Sequence, residues 1–283
     1  STDAHIVSPL FFPGGDIGRL AISGTVNDIS MSGAIPKYIT ASFIIEEGFS
    51  ISDLERIAAS MQQTAEEAGV LIVAGDTKVA EKGKADKVFI STSGVGFADP
   101  LLKIGGESAQ PGDMVIISGS IGDHGIAVLA ARNELGFRTT IKSDVAPLNH
   151  LIQDVLKKAP DVHVLRDPTR GGLATSLNEI SAQSGNSIEL IEDNIPVKQE
   201  VRSACEMLGF DPMYIANEGK VIIILPAEQT ESAIHALQAH PLGREAKVIG
   251  RVQSTNGTPR VIMKTSIGGS RIVDMLSGEM LPR

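Results

Sequence analysis

Short apolar runs alternate along the chain with longer segments in which apolar positions recur every three or four residues. Residues 50–69, "SISDLERIAASMQQTAEEAG", open on Ser or Asp capping candidates and place Leu54, Ile57, Ala58 and Met61 on one helical face, with Gly69 as the stop. "YITASFII" has the β-branched and aromatic content of a strand. "VLIVAG" and "KVFISTSGVGFA" read the same way, and "LAISGTVNDISMSG" reads as a helix running past Asp28. A "QPGD" turn at 110–113 closes this series and a second begins: "MVIISGSIGDHG" is a strand running into a Gly-rich bend, and "GIAVLAARNELG" and "PLNHLIQDVLKKAP" are helices. "VHVLRDPTRGGLATSLNEISAQSG" is strand, turn and helix; "EVRSACEMLG" and "QTESAIHALQAH" are helices; "KVIIILPAE" and "AKVIGRV" are strands. The expected architecture is α/β in two units, 1–112 and 113–252, with a flexible C-terminal tail over 253–283 that lacks a long periodic pattern.

Composition narrows the function classes. The chain has 283 residues, 42% apolar and 21% charged, which is ordinary globular usage. A net charge of −9, from 25 basic and 34 acidic residues, argues against a broad nucleic-acid footprint. No apolar run nears the roughly 20 residues that span a bilayer, and the first residues lack a signal-peptide pattern. With one cysteine, Cys205, no disulfide can form within the chain, so the expected location is cytoplasmic and the expected role of Cys205 is a packed core thiol.

The chemistry-bearing residues stand at the borders of apolar segments. Neither a P-loop nor a Rossmann fingerprint is present, and zinc-ligand spacings are absent. Acids recur instead: Asp3, Asp28, Asp76, Asp123 and Asp167. Carboxylates brought together repel unless a cation lies among them, and Mg²⁺ is the usual one where phosphate is the other ligand. In "DPTRGGL", Arg170 offers a fork of donors, while Gly171 and Gly172 let backbone N–H groups approach an anion at a helix start. In "LIVAGDTKVA" an apolar run taken as a buried strand stops at Gly75 and is followed by Asp76, Thr77 and Lys78; "ANEGKVIII" sets Asn217, Glu218 and Lys220 before another apolar run. Each acid taken alone is more often a helix cap or a solvated turn. His124 in "GDHG" is either a base or a satisfied loop histidine, and His5 alternates with Asp3 so that the two can share a sheet face.

Together, "STDAHIVSPLFFPGGDIGRLAISGTVNDISMSGAIPKYI", "AGDTKV", "GDHG", "RDPTRGGL" and "ANEGK" resemble the HypE family of [NiFe]-hydrogenase maturation proteins. That family lies within the superfamily of aminoimidazole-ribonucleotide and selenophosphate synthetases, and the likeness runs from Ser1 to Arg283. The resemblance implies two α/β domains whose N-terminal sheets pair into a barrel in a homodimer. It also implies an ATP-dependent dehydration, in which an S-carboxamide on a C-terminal cysteine becomes a thiocyanate that supplies a cyanide ligand of the hydrogenase iron. Implied partners are the carbamoyltransferase HypF and the HypC–HypD iron-carrier complex; implied cofactors are ATP and Mg²⁺. Matched by motif, Asp3, Asp28 and Asp167 are expected to bind the metal, and Asn27, Asp28, Asp76, Thr77 and Gly171 the nucleotide. Lys78 and Glu218 are expected to carry the dehydration, Glu218 as base and Lys78 stabilising the phosphorylated oxygen. The family's Gly-rich segment is not found before Ser1, and its Pro-Arg-Ile-Cys ending stops here at "LPR", so the thiol-bearing end is expected to continue by Ile-Cys. Two rivals stay open: another synthetase of the superfamily acting on a small molecule, and a non-catalytic scaffold that docks a maturation partner.

Overall fold

The computed structural model describes residues 1–132 and 139–276. The first unit comprises β1 (Thr2–His5), the hairpin β2 (Phe11–Phe12) and β3 (Gly15–Asp16), α1 (Ile17–Ser30), β4 (Ile35–Glu46), α2 (Ile51–Ala68), β5 (Leu71–Ala80) and β6 (Val88–Phe97). Both helices start for local reasons. Asp16 accepts from the N–H groups of Gly18 and Arg19, and Ser50 accepts from that of Asp53. Gly69, in the left-handed region at φ 67°, ends α2. The helices cover one face of a four-stranded sheet ordered β1-β6-β4-β5, with Ile17, Ile22 and Val26 meeting Ile57, Met61, Ile39 and Ile90.

The opposite face of this sheet is open in the single chain. Tyr38 and Ile44 on β4 and Val95 and Phe97 on β6 are 43–67% exposed. The strand at the edge is exposed along almost its whole length. Here the sequence reading is corrected twice: β5 does not stop at Gly75 but runs on to Ala80, and it is not buried. Its apolar residues read as core because periodicity cannot distinguish burial by this chain from burial by another surface.

The second unit is built from β7 (Met114–Ile117), α3 (Asp123–Ala131), α4 (Asn149–Lys158), β8 (Val164–Arg166), α5 (Gly172–Ser184), β9 (Ser187–Ile191), α6 (Gln199–Leu208), β10 (Ile222–Leu225), α7 (Thr230–Ala239), β11 (Lys247–Gln253), β12 (Val261–Lys264) and β13 (Ser270–Val273). Seven strands run in the order β13-β12-β9-β11-β7-β10-β8, antiparallel except for β9 beside β12. Ile222 and Ile224 face the α5 side with Leu173 and Leu177, while Ile223 and Leu225 face Leu151, Val155 and Leu237 of α4 and α7. Burial on both faces explains why β10 reads as an unbroken apolar run.

The expected flexible tail from 253 is also corrected. Val261, Met263 and Val273 alternate inward as β12 and β13, and Asn178 donates to the Val273 carbonyl at 2.8 Å. These strands are only four residues long, too short for their alternation to stand out in the sequence. The part of the expected tail holding Gly278 and Pro282 lies outside the described residues, as does the end of the "GIAVLAARNELG" helix.

Candidate active site

Two buried amides brace the seam between the two units: Asn149, which donates to the Ala68 carbonyl at 2.8 Å, and Asn27. Asn27, on α1, donates from Nδ2 to the carbonyls of Ala146 (3.1 Å) and Glu218 (3.3 Å), and its Oδ1 accepts from the N–H of Leu148 at 2.8 Å. Sequence reasoning expected Asn27 to hold nucleotide; its amide is instead committed to this brace, and the side chain is buried. One residue on, Asp28 faces outward, and Ser1 donates its hydroxyl to Asp28 Oδ2 at 2.7 Å.

Beside the brace lies a cavity of about 330 Å³ lined by Asp3, Asp28, Asp167, Arg166, Arg170 and Glu218, among others. A smaller neighbour of about 280 Å³ shares Asp3, Arg170 and Glu218 and adds His5. Besides Arg166, which ends β8, four segments supply these groups. Asp3 comes from β1, Asp28 from the C-terminal half of α1, and Asp167 and Arg170 from the turn between β8 and α5. Glu218 comes from the turn before β10. Gly171 closes the Asp167 turn in the left-handed region at φ 66°, where a Cβ would strike Thr175 Oγ1, so its role here is conformational. Asn217 ties two of these segments together, donating to the Pro168 and Ile215 carbonyls while accepting from the Gly122 N–H at 2.7 Å.

Burial pushes the Asp167 carboxyl above the ordinary carboxylate range; the Arg166 guanidinium, 3.6 Å away, opposes this and the charge of Asp28 adds to it. Asp167 Oδ1 is buried without a hydrogen-bond partner. Asp3 has Arg170 at 4.0 Å and His5 at 3.8 Å. His5, whose shared face with Asp3 was expected, also bonds Thr92 at 2.9 Å. Among the described residues no three His, Cys, Asp or Glu side chains stand close enough to cage a metal alone. The set fits a hydrated Mg²⁺, which keeps several waters and needs only one or two carboxylates with phosphate oxygens. The orphaned Oδ1 of Asp167 is the observation in favour.

Asp76, Thr77 and Lys78 are not part of this cavity. Through the register Asp3–Thr92–Ala41–Gly75 they lie three strand spacings from Asp3, about 14 Å across the sheet. Asp3 and Gly75 share the helix-covered face, so Asp76 and Lys78, one and three positions on, point to the open face. There they pair with each other, Lys78 Nζ to Asp76 Oδ2 at 3.4 Å. Within one chain Lys78 and Glu218 therefore do not meet. Cys205 is buried in the α3–α6 cluster, and burial pushes its thiol up to about 11, as a core thiol requires. Sequence reasoning missed the part of Arg166, which balances Asp167 and reaches Glu179 at 2.9 Å. The strand pattern of "VLR" with an arginine at its end was the available signal.

Two α/β units with acids converging on their seam define a class, and sequence and structural relatives identify it. Residues 1–98 match the AIR synthase related protein N-terminal domain, and residues 110–262 match the C-terminal domain of the same family. A carbamoyl dehydratase HypE from Azotobacter vinelandii is 55% identical over the whole of this chain and 83% of its own length. A crystal structure of the hydrogenase maturation protein HypE in complex with ATP superposes with a TM-score of 0.95 at 49% identity, covering 100% of this chain and 85% of that one. A HypE–HypF complex gives 0.93 at 52% identity, over 97% of this chain and 89% of the HypE-matched chain. The chain belongs to the HypE family of AIR synthase related proteins. No helix among the described residues is long and apolar enough to cross a membrane.

Proposed function

We propose that this protein is an ATP-dependent carbamoyl dehydratase that converts an S-carboxamide on its own C-terminal cysteine to a thiocyanate for the [NiFe]-hydrogenase iron. The carrying observation is the convergence of Asp3, Asp28, Asp167 and Glu218 on one cavity at the seam, in a chain more than half identical to a carbamoyl dehydratase along its full length. The carboxamide oxygen takes the γ-phosphoryl group of ATP with loss of one N–H proton, giving ADP. Loss of the second N–H proton with departure of phosphate then leaves the C≡N bond. Asp28 and Asp167 hold the metal with Asp3, and the metal offsets phosphate charge when bound. Glu218 takes the proton.

The reading needs Lys78 beside Glu218, and a homodimer supplies it. The open apolar face of β4, β5 and β6 supports a second copy seated there, completing a barrel, as does the uncovered edge strand. Each site then takes Asp76 and Lys78 from the partner copy and the seam acids from its own chain, while Thr77, opposite Phe43 in the register, lies on the helix-covered face. HypF is the proposed donor of the carbamoyl group, in keeping with the HypE–HypF complex, and the HypC–HypD complex the proposed acceptor of cyanide. The proposed location is the cytoplasm.

The experiment is mass spectrometry of the chain extended by Ile-Cys, carbamoylated and then given ATP and Mg²⁺. Loss of one water from the C-terminal peptide is expected. ATP hydrolysis with an unchanged carboxamide would refute the dehydratase reading and favour a small-molecule synthetase.

A further inference from the structure

On the other side of the Asn217–Lys220 turn lies a cleft of about 770 Å³ between the two units, within the range of small-molecule sites. Its wall contains the loop Ser118–Gly122, which joins β7 to the nine-residue helix α3. This is a strand, a Gly-containing loop and a helix start, with no side chain capping the helix. The N–H groups of Gly119 and Ser120 are in buried residues and find no acceptor among the described residues. Both residues line the cleft, so their N–H groups are left for an acceptor from outside the described residues.

Charge around the cleft has one sign in excess. Arg19, Lys142, Lys198, Lys220 and Arg244 line it against Asp123, Asp144 and Glu245. Lys198 is spent on Asp123 and Lys220 on Asp144, at 2.6 and 3.1 Å. Lys142 and Arg244, both exposed, have no acid within ion-pair distance among the described residues. The second oxygen of Asp123, Oδ1, is a further unmet group: the residue is 2% exposed and that atom has no hydrogen-bond partner. Unpaired donors and cations call for an anion, and an unpaired carboxylate oxygen calls for a donor on the same ligand.

We propose that this cleft is a second ligand site, for a small phosphate monoester that also carries a hydroxyl or amine. The phosphate lies against the Ser118–Gly122 loop with Lys142 and Arg244 closing over it, and the hydroxyl or amine turns toward Asp123. The site adjoins the proposed catalytic turn from behind. Asp144, which lines the cleft, accepts the Glu218 N–H on Oδ1 at 3.1 Å and pairs with Lys220 on Oδ2. An occupant drawing on Lys220 therefore acts on the residue that fixes the Glu218 backbone.

The test is equilibrium dialysis of radiolabelled inorganic phosphate and of glycerol 3-phosphate, each with and without saturating ATP and Mg²⁺ and at constant ionic strength. One site per chain is expected in both conditions, with glycerol 3-phosphate the tighter ligand. The double variant Lys142→Ala/Arg244→Ala, altered only at exposed positions, should weaken binding at least about tenfold, the loss of two charge-assisted contacts. Asp123→Asn should reduce the preference for glycerol 3-phosphate over phosphate. Binding that vanishes when ATP is added places the ion in the nucleotide site and overturns the proposal, as does unchanged affinity in the double variant. Because the ATP-free arm stands alone, a chain that fails to bind ATP refutes the dehydratase reading without touching this one.

Discussion

Replacing Asn27 by Ala separates a brace from a nucleotide contact. The change deletes three hydrogen bonds, at 2.8, 3.1 and 3.3 Å, and takes the amide partner from two carbonyls and one N–H in a buried seam. At roughly 1 kcal/mol for each bond the loss is about 3 kcal/mol, and more where water cannot enter to replace the amide. For a chain of this size each kcal/mol moves the melting temperature by about 2–4 °C, so a drop of about 6–12 °C is expected by calorimetry or circular dichroism. Asn27→Asp keeps the acceptor for Leu148 but turns a carboxylate oxygen toward the Ala146 and Glu218 carbonyls, and should cost at least as much. Glu218 loses one of its anchors in both variants, so turnover falls further than ATP affinity. A melting temperature within about 1 °C of the wild type in both variants, together with lost ATP binding, would refute the brace and return Asn27 to the nucleotide.

The remaining expectations are independent of that one. Lys78→Ala and Glu218→Gln chains, each inactive alone, should regain about a quarter of wild-type dehydration when refolded together in equal amounts, since half of the dimers are mixed and each has one intact site; no recovery, with mixed dimers present, would show that the two residues do not share a site across subunits. Asp28→Ala and Asp167→Ala should abolish ATP turnover with the fold retained by circular dichroism, and unchanged turnover in both removes the metal assignment. Asp167 has a raised pKa, so protons compete with the cation from higher pH than for an ordinary carboxylate; Mg²⁺ affinity should weaken as pH falls through that raised value, and a flat profile between neutral pH and 4 would contradict it. Asp144 has the opposite sign: burial would raise it, but Lys220 and then His124 hold its carboxyl below the ordinary range. Its contribution to stability is therefore present above the unfolded value of about 3.9 and lost as pH falls through the lower folded value; an Asp144→Asn chain should lack that acid-side loss in urea titrations. Cys205, with its thiol at about 11, should resist iodoacetamide at pH 7.5 until the chain is unfolded.

The regular elements were legible wherever one side of a segment met this chain's own core. Leu54, Ile57 and Met61 marked α2 and Gly69 its end, because helical spacing and a left-handed stop are local properties, whereas Ala58, at the same spacing, is exposed. β5 failed the same test for a physical reason. Leu71, Ile72 and Val73 are 41–63% exposed here, and a sequence records apolarity without recording which surface covers it. β12 and β13 were missed because their alternation spans four residues each, and their place in the sheet depends on the distant partner β9. At the site, the turn residues Asp167, Arg170 and Glu218 stood out as polar groups beside apolar runs. That Asn27 points inward and Asp28 outward could not be read, since adjacent helical positions differ by 100° and only the packing decides which is inside.

The exposed course of β5 matters to a newly made chain before any partner arrives. A free strand edge bearing Leu71, Ile72, Val73 and Val79 is a template for indiscriminate pairing, and charges in mid-strand are the usual protection. Asp76 and Lys78 break that apolar run into two short pieces. The same two residues that are proposed to meet the substrate thus also keep the solitary chain from sticking to its neighbours. An alanine at Lys78 removes both properties at once, so aggregation can imitate a catalytic defect, whereas Lys78→Gln removes the charge yet keeps a polar interruption. For this strand solubility and the proposed chemistry rest on the same residues, so a change made to probe one also alters the other.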